Sequence, residues 1–199
     1  MPWKKIPESI RRLRETLDDV RGLEIEKFKP LGVLLDKIHD KISEFEGQNI
    51  IMDTFVATKW CAEHQLVQQA FTLLQENMLT AVCLANGFDP HDKEKRNMVS
   101  SCINIVSKKI DQSQWHVGSK EPTESQRKEM EGIVSFLEQY VEHIKKLDLI
   151  NQRRNNINHA EMAHKEDIHY DQLSKELTDL IDNLAPFFDE MNVLARQKL

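Results

Sequence analysis

Arginine, asparagine and histidine are concentrated in one short segment, Asn151 to His159, which reads Asn-Gln-Arg-Arg-Asn-Asn-Ile-Asn-His. A histidine gives and takes a proton near neutral pH, and a guanidinium can hold a phosphate through two parallel hydrogen bonds. A helix that begins near Asn155 would add free backbone N–H groups and the positive end of its dipole. The segment therefore predicts a phosphate site that contains Arg154, Asn155 and His159.

Helical geometry restricts how these side chains can meet. Asn155 and His159 are four residues apart and would share one face of a helix. Arg154 and His159 are five residues apart and would diverge by about 140° on a regular helix. The two converge only if Arg154 precedes the helix, or if two chains each contribute a pair. On composition alone, a simple joint between helices explains the four asparagines better, because asparagine favours caps and turns.

Two parts of the sequence resemble one family of ribonucleases. The pattern Arg154-Asn155-x-x-x-His159 resembles the HEPN ribonuclease signature, in which an arginine, a polar residue and a histidine stand at short fixed spacing. The segment Trp60 to Glu76, Trp-Cys-Ala-Glu-His-Gln-Leu-Val-Gln-Gln-Ala-Phe-Thr-Leu-Leu-Gln-Glu, resembles the long-helix segment of CRISPR-associated CARF–HEPN ribonucleases, the Csx/Csm accessory nucleases of type III systems. The resemblance covers roughly residues 53–159, in the same order along the chain.

The resemblance implies a metal-independent endoribonuclease that cleaves single-stranded RNA in CRISPR type III antiviral defence. In that family the substrate's 2′-hydroxyl attacks the adjacent phosphate and leaves a 2′,3′-cyclic phosphate. His159 is then the general acid or base, and Arg154 holds the phosphate. Asn155 orients His159 or contacts the phosphate, and Arg153 is the alternative catalytic arginine.

A polar series in the second segment is the predicted RNA-binding surface. Its members are spaced four apart and would form one ridge of a continuous helix. Trp60 or His64 could stack on a base. A half-buried, hydrogen-bonded row between helices explains the series equally well. The predicted RNA contacts are Trp60, His64, Gln68, Thr72 and, from the first segment, Arg153.

The resemblance also predicts the assembly. In the family two protomers meet about a two-fold axis and share one cleft, so we expect a homodimer. Most members carry an N-terminal CARF domain that senses cyclic oligoadenylate, but no strand–helix alternation precedes residue 50 here. The chain is then either a C-terminal fragment or a stand-alone HEPN protein, and cyclic oligoadenylate is a ligand only if a separate CARF domain is present. Alternatives are a non-catalytic helical dimerisation or RNA-binding module, and the HEPN toxin of a toxin–antitoxin pair.

Hydrophobic periodicity predicts an all-α protein. We expect a HEPN-type helical bundle with a long central helix, an N-terminal helical extension over residues 1–48 and a HEPN domain over residues 49–199. After a loop at Asp111–Pro122, a capping box at Thr123 opens a helix that extends through Leu147. Pro186 is expected to kink or break the last helix. The other predicted helices are Glu8–Arg21, Pro30–Gly47, Asp53–Asn86, Asp92–Ile110 and Asp167–Arg196.

Composition restricts the classes of function. The formal net charge of −6 disfavours a broad binding surface for duplex nucleic acid, although it allows a local cationic site. Three separated cysteines indicate small buried residues rather than disulfides or zinc ligands. His159, His164 and His169 are five apart, which does not fit a zinc pair on a helix, so no metal is expected. Neither a signal peptide nor a membrane span is evident, which predicts a cytoplasmic protein. Arg96, Lys108 and Lys109 are expected to be surface charges that could touch RNA.

Overall fold

The computed structural model describes residues 5–22, 32–158 and 170–198. These ranges contain eight α-helices, one short 3₁₀ turn at Gln112–Gln114 and an isolated β-bridge between Val117 and Lys120, but no strand. The prediction of an all-α helical bundle is confirmed. The helices are α1 (Ile6–Gly22), α2 (Gly32–Ser43), α3 (Ile50–Glu63), α4 (Val67–Ala85), α5 (Lys93–Lys108), α6 (Glu124–Glu138), α7 (Val141–Asn158) and α8 (Tyr170–Arg196).

Side-chain caps fix where two of the helices begin. The Asp92 carboxylate accepts the backbone N–H groups of Glu94 and Lys95 at the start of α5, at 2.8 and 3.2 Å. At the start of α6, Thr123 and Gln126 bond reciprocally to each other's backbone N–H, which confirms the predicted capping box. Such caps satisfy N–H groups that have no partner within the helix.

The predicted long central helix is wrong, because the chain folds back on itself between α3 and α4. His64, Gln65 and Leu66 form the turn, and Gln65 adopts a left-handed backbone with φ of 59°. Near the other end of the pair, the Asn77 side-chain amide donates to the carbonyl of Ile51 at 2.9 Å inside the core. The two helices therefore form an antiparallel hairpin.

The angular positions of the buried apolar residues around the helix axis explain why the chain folds back. Ile51 and Val67 are both buried, as are Phe55 and Phe71. The members of each pair are sixteen residues apart, which would separate them by about 160° around one continuous helix. A straight helix would thus expose one of the two apolar faces, whereas the hairpin buries both. α4 is the centre of the bundle and packs against α3, α5, α7 and α8.

The helix predicted from Thr123 through Leu147 is two helices. α6 ends at Glu138, and a turn at Gln139 and Tyr140 leads into α7. The buried Tyr140 hydroxyl donates to Glu190 of α8 at 2.7 Å, which fixes this turn against the last helix. α7 then continues to Asn158, through the segment where a joint was expected. α8 runs through Pro186 without the break that was considered.

A buried carboxylate organises the connection between α2 and α3. Asp53 is fully buried and accepts the backbone N–H groups of Glu46, Gly47 and Asn49 at 2.6 to 3.3 Å. Gly47 takes a left-handed φ of 78°, which suits a residue without a β-carbon. α1 packs against α2 and α3 on this side. The division into an extension (1–48) and a HEPN domain (49–199) stays a prediction.

Candidate functional site

Arg154 lies in the last part of α7 and reaches across to α4. Its Nη1 donates a hydrogen bond of 2.5 Å to the side-chain oxygen of Gln75, in a half-buried position. Gln75 belongs to the segment Trp60–Glu76, and it lies 79 residues from Arg154 in the chain. The fold therefore brings together the two segments that carry the HEPN resemblance. A guanidinium has five N–H donors, so one bond to an amide leaves capacity for an anion.

Arg153 has a different environment, although it is the next residue. Its Nε and Nη2 donate to the two carboxylate oxygens of Glu176 on α8, at 2.6 and 3.2 Å. Both side chains are about three-quarters buried, with 22% and 25% of their surface exposed. This two-point ion pair ties α7 to α8 and neutralises the Arg153 charge.

The predicted helix start near Asn155 is wrong. Arg154 and the exposed Asn155 lie within α7, which ends at Asn158. The carbonyl end of a helix carries the negative end of its dipole, so backbone N–H groups do not contribute an anion site here. Because Arg154 is inside the helix, it does not precede a helix start, which removes the first of the two routes to His159.

His159 lies outside the described residues. The same is true of His164 and His169. The pairing of His159 with Arg154 therefore stays a prediction. In the described residues, no group of three or more histidine, cysteine or carboxylate side chains is placed to hold a metal ion.

The polar series expected to form one ridge is divided between two helices. Trp60 lies near the end of α3, whereas Gln68 and Thr72 lie in the first turns of α4. Gln68 is exposed, and the Thr72 hydroxyl donates to the Gln68 carbonyl at 2.9 Å within the helix. The prediction of one continuous ridge is wrong, since the turn at Gln65 separates its members, and their contact with RNA stays a prediction.

Trp60 and His64 belong to a different surface from Arg154. Their rings stack at the tip of the hairpin, with centroids 4.2 Å apart, and Trp60 is 39% exposed. They line a largely apolar cavity of about 480 Å³ together with Ile10 of α1 and Ile38 of α2. Gln75 lies eight residues beyond Val67, or about 12 Å further along α4. In the described part of the chain, no contact joins this aromatic pair to Arg154.

Glu76, the last residue of the segment Trp60–Glu76, forms an ion pair with Arg96, which was expected at the surface. Its carboxylate accepts a hydrogen bond from Arg96 at 2.5 Å, and the two side chains are only 18% and 17% exposed. Arg96 also donates to the Thr80 hydroxyl at 3.1 Å. The prediction of Arg96 as a surface charge is wrong, because the buried Glu76 and Thr80 draw it into the bundle. Lys108 and Lys109 are exposed, as expected.

A polar cavity of about 320 Å³ opens beside Gln75, between α4, α5 and α7. Leu79, Ile103 and Leu147 form its apolar walls. Its polar lining consists of amide, hydroxyl and carboxylate side chains: Gln75, Ser100, Ser101, Asn104, Asp148 and Asn151. Gln75 therefore lines the cavity and also accepts a hydrogen bond from the Arg154 guanidinium.

Two side chains of α7, Asp148 and Asn151, line this cavity. The Asp148 carboxylate accepts a hydrogen bond from the Ser107 hydroxyl of α5. The side-chain oxygen of Asn151 is buried and accepts no hydrogen bond from any described residue. A buried polar atom without a partner is unfavourable. Asp148 and Asn151 are three residues apart and therefore lie on one face of the helix.

No protein-family model, curated protein or solved structure matches the chain.

In addition, none of the helices in the described ranges is long and apolar enough to cross a membrane.

The cysteines have the buried environment that was predicted. Cys61, Cys83 and Cys102 are free and buried. Burial raises the pKa of Cys83 to about 11 and that of Cys102 to about 12, so both are protonated thiols at neutral pH. A nucleophilic cysteine has its pKa lowered instead. Burial also raises the pKa of Cys61, so the three thiols are structural residues.

Gln75, Asp148 and Asn104 were missed as site residues. Gln75 is inside the segment Trp60–Glu76 that carries the resemblance, but it does not belong to the polar series whose members are spaced four residues apart. Asp148 precedes the asparagine-rich segment by three residues, and a helix continued from Val141 would have placed it on the same face as Asn151. The signal was present, but it required knowing that α7 does not end before Asn151.

Proposed function

We propose that the chain is a metal-independent endoribonuclease that cleaves single-stranded RNA. The observation that carries the proposal is the hydrogen bond from Arg154 to Gln75, because it links the signature arginine to the second segment of the HEPN resemblance. The bond orients a half-buried guanidinium while leaving other N–H donors for a phosphate. CRISPR type III antiviral defence is the setting that the resemblance implies.

The proposed reaction needs proton transfer and charge stabilisation. The 2′-oxygen loses its proton to a general base and attacks the adjacent phosphorus, while the bond from phosphorus to the 5′-oxygen breaks. A general acid protonates the leaving 5′-oxygen, and the products are a 2′,3′-cyclic phosphate and a 5′-hydroxyl. His159 is proposed for the proton transfers because an imidazole titrates near neutral pH. Arg154 stabilises the negative charge that develops on the phosphoryl oxygens.

Arg154 is a better candidate than Arg153 for the phosphate contact. The Arg153 guanidinium is committed to the Glu176 carboxylate through two bonds, so binding a phosphate would require breaking that ion pair. Arg154 bonds to a neutral amide and keeps its full positive charge. Asn155 is exposed next to it and is proposed to orient His159 or to contact the phosphate.

We further propose that the active form is a homodimer. Arg154 lies within a regular helix, and a residue five positions later on that helix would point about 140° away. Two chains related by a two-fold axis could place the Arg154 of one beside the His159 of the other. Such a cleft would also hold two imidazoles, one to accept the 2′-proton and one to protonate the leaving oxygen.

The purified chain incubated with labelled single-stranded RNA in excess chelator tests the proposal. We expect cleavage in the wild type, and its loss in Arg154→Ala and His159→Ala variants that keep their helical circular dichroism. Gln69→Ala, at an exposed position of α4, is the matched control and should cut normally. Activity that survives both active-site changes would reject the enzyme. RNA binding without cleavage would favour the non-catalytic module.

A further inference from the structure

The polar cavity between α4, α5 and α7 has the composition of a nucleobase site. We propose that it binds the base of an RNA nucleotide whose phosphate lies at Arg154, and that it prefers guanine. This inference rests on the proposed ribonuclease function. Its volume of about 320 Å³ is at the lower end of the ~300–1,000 Å³ range of small-molecule sites, which suits one base rather than a larger ligand.

The charges in and beside the cavity indicate where the base and where the phosphate of a nucleotide would bind. Among the described residues that line the cavity, Asp148 is the only charged one. A carboxylate repels a phosphate but accepts hydrogen bonds from the N–H edge of a base. The Arg154 guanidinium carries a positive charge and is attached to the cavity through Gln75. A nucleotide therefore fits with its base inside the cavity and its phosphate outside, at Arg154.

The Asp148 carboxylate points to a base that presents two adjacent donors. Asp148 lines the cavity with two carboxylate oxygens, one of which also accepts the Ser107 hydrogen bond, and Asn151 lies in the same lining three residues further along α7. Guanine presents an N1–H and an exocyclic N2 amine side by side, whereas uracil presents one N–H between two carbonyls. The apolar side chains Leu79, Ile103 and Leu147 provide walls for a planar ring.

Binding of uncleavable dinucleotides to the 199-residue chain tests this inference. The probes are 2′-O-methylated GpG, IpI and UpU, in which the blocked 2′-oxygen prevents cleavage and inosine lacks only the N2 amine of guanine. By isothermal titration calorimetry we expect GpG to bind at least about tenfold tighter than IpI or UpU, the loss that follows from removing one charge-assisted hydrogen bond.

Two variants identify the group responsible. Asp148→Asn keeps the shape and an oxygen for Ser107, and it should abolish the preference for GpG. Ser107→Ala removes the hydrogen bond from Ser107 to Asp148 but retains the carboxylate, so it should keep the preference. Equal binding of the three probes, no binding of any probe, or a preference that survives Asp148→Asn would each overturn the inference.

The test is separable from that of the proposed function. RNA cleavage without a guanine preference would reject the base site and leave the ribonuclease intact. A guanine preference in a chain that cuts no RNA would retain the base site and reject the ribonuclease.

Discussion

Adjacent arginines with different partners give the sharpest prediction. Arg153→Ala should destabilise the protein and leave RNA cleavage near wild type. Arg154→Ala should slow RNA cleavage and leave the stability near wild type. The reason is that Arg153 makes a two-point ion pair between α7 and α8, while Arg154 makes one bond to the neutral Gln75. Glu176→Gln, which breaks the same ion pair from the other side, is the matched control.

The expected magnitudes follow from burial and geometry. Exposed ion pairs contribute about 0–1 kcal/mol, and breaking a fully buried pair costs about 3–5 kcal/mol. The Arg153–Glu176 pair is about three-quarters buried and bidentate, so we expect a loss of about 1–2 kcal/mol. In a chain of this size that lowers the midpoint of thermal unfolding by roughly 3–6 °C. Removing a donor that stabilises developing charge, as Arg154→Ala does, slows cleavage by about 10²–10³-fold.

Two assays on the same preparations measure the contrast. Thermal unfolding followed by circular dichroism gives the change in stability, and cleavage of labelled single-stranded RNA gives the change in rate. A fall in cleavage of 100-fold or more in Arg153→Ala, with Arg154→Ala still active, would refute the reasoning and make Arg153 the catalytic arginine.

Three further predictions concern single side chains. Gln75→Ala should slow cleavage about tenfold, less than Arg154→Ala, because it frees the guanidinium without removing it; an unchanged rate would show that Gln75 does not position Arg154. Burial, and then the nearby Lys146 charge, hold the pKa of His143 below its ordinary value of 6.5. The unfolded chain therefore takes up more protons as the pH falls below 6.5, and the stability present above that pH is progressively lost. His143→Phe should flatten this fall in the unfolding midpoint, and an unchanged slope would contradict the assignment. Cys83 and Cys102, with pKa values of about 11 and 12, should react with iodoacetamide only in denaturant, as mass spectrometry of the native and unfolded chain would show.

Local rules were sufficient for much of the fold. The capping box at Thr123 and the helix start near Asp92 were placed correctly, because short polar side chains before an apolar periodic run favour a helix start. The three cysteines were correctly placed in the core. The all-α class followed from helical periodicity and from a low content of glycine and proline.

The two errors in helix length, before Leu66 and after Glu138, share one cause, which is a turn without the usual signal. The bend between α3 and α4 contains neither glycine nor proline, and Gln65 takes the left-handed conformation that glycine usually provides. Burial on both sides of the bend compensates for the unfavourable backbone. The phase change between Phe55 and Phe71 was the available clue. The turn at Gln139 and Tyr140 is likewise fixed by tertiary contacts, here the Tyr140–Glu190 hydrogen bond.

The candidate site was predictable in its residue types but not in its geometry. Arg154 was identified from its spacing to His159, yet its place at the end of α7 reverses the dipole that was expected to bind phosphate. Its contact with Gln75 depends on the packing of α4 against α7, which no local pattern encodes. The pairing with His159 stays a prediction.

The end groups left on the RNA test the central claim most directly. Single-stranded RNA is incubated with the chain in excess chelator, and the fragments are identified by mass spectrometry. The account predicts a 2′,3′-cyclic phosphate on one fragment and a 5′-hydroxyl on the other, with no cleavage at a position that carries a 2′-deoxyribose. Fragments with a 5′-phosphate and a 3′-hydroxyl, or cleavage at the deoxyribose, would contradict it.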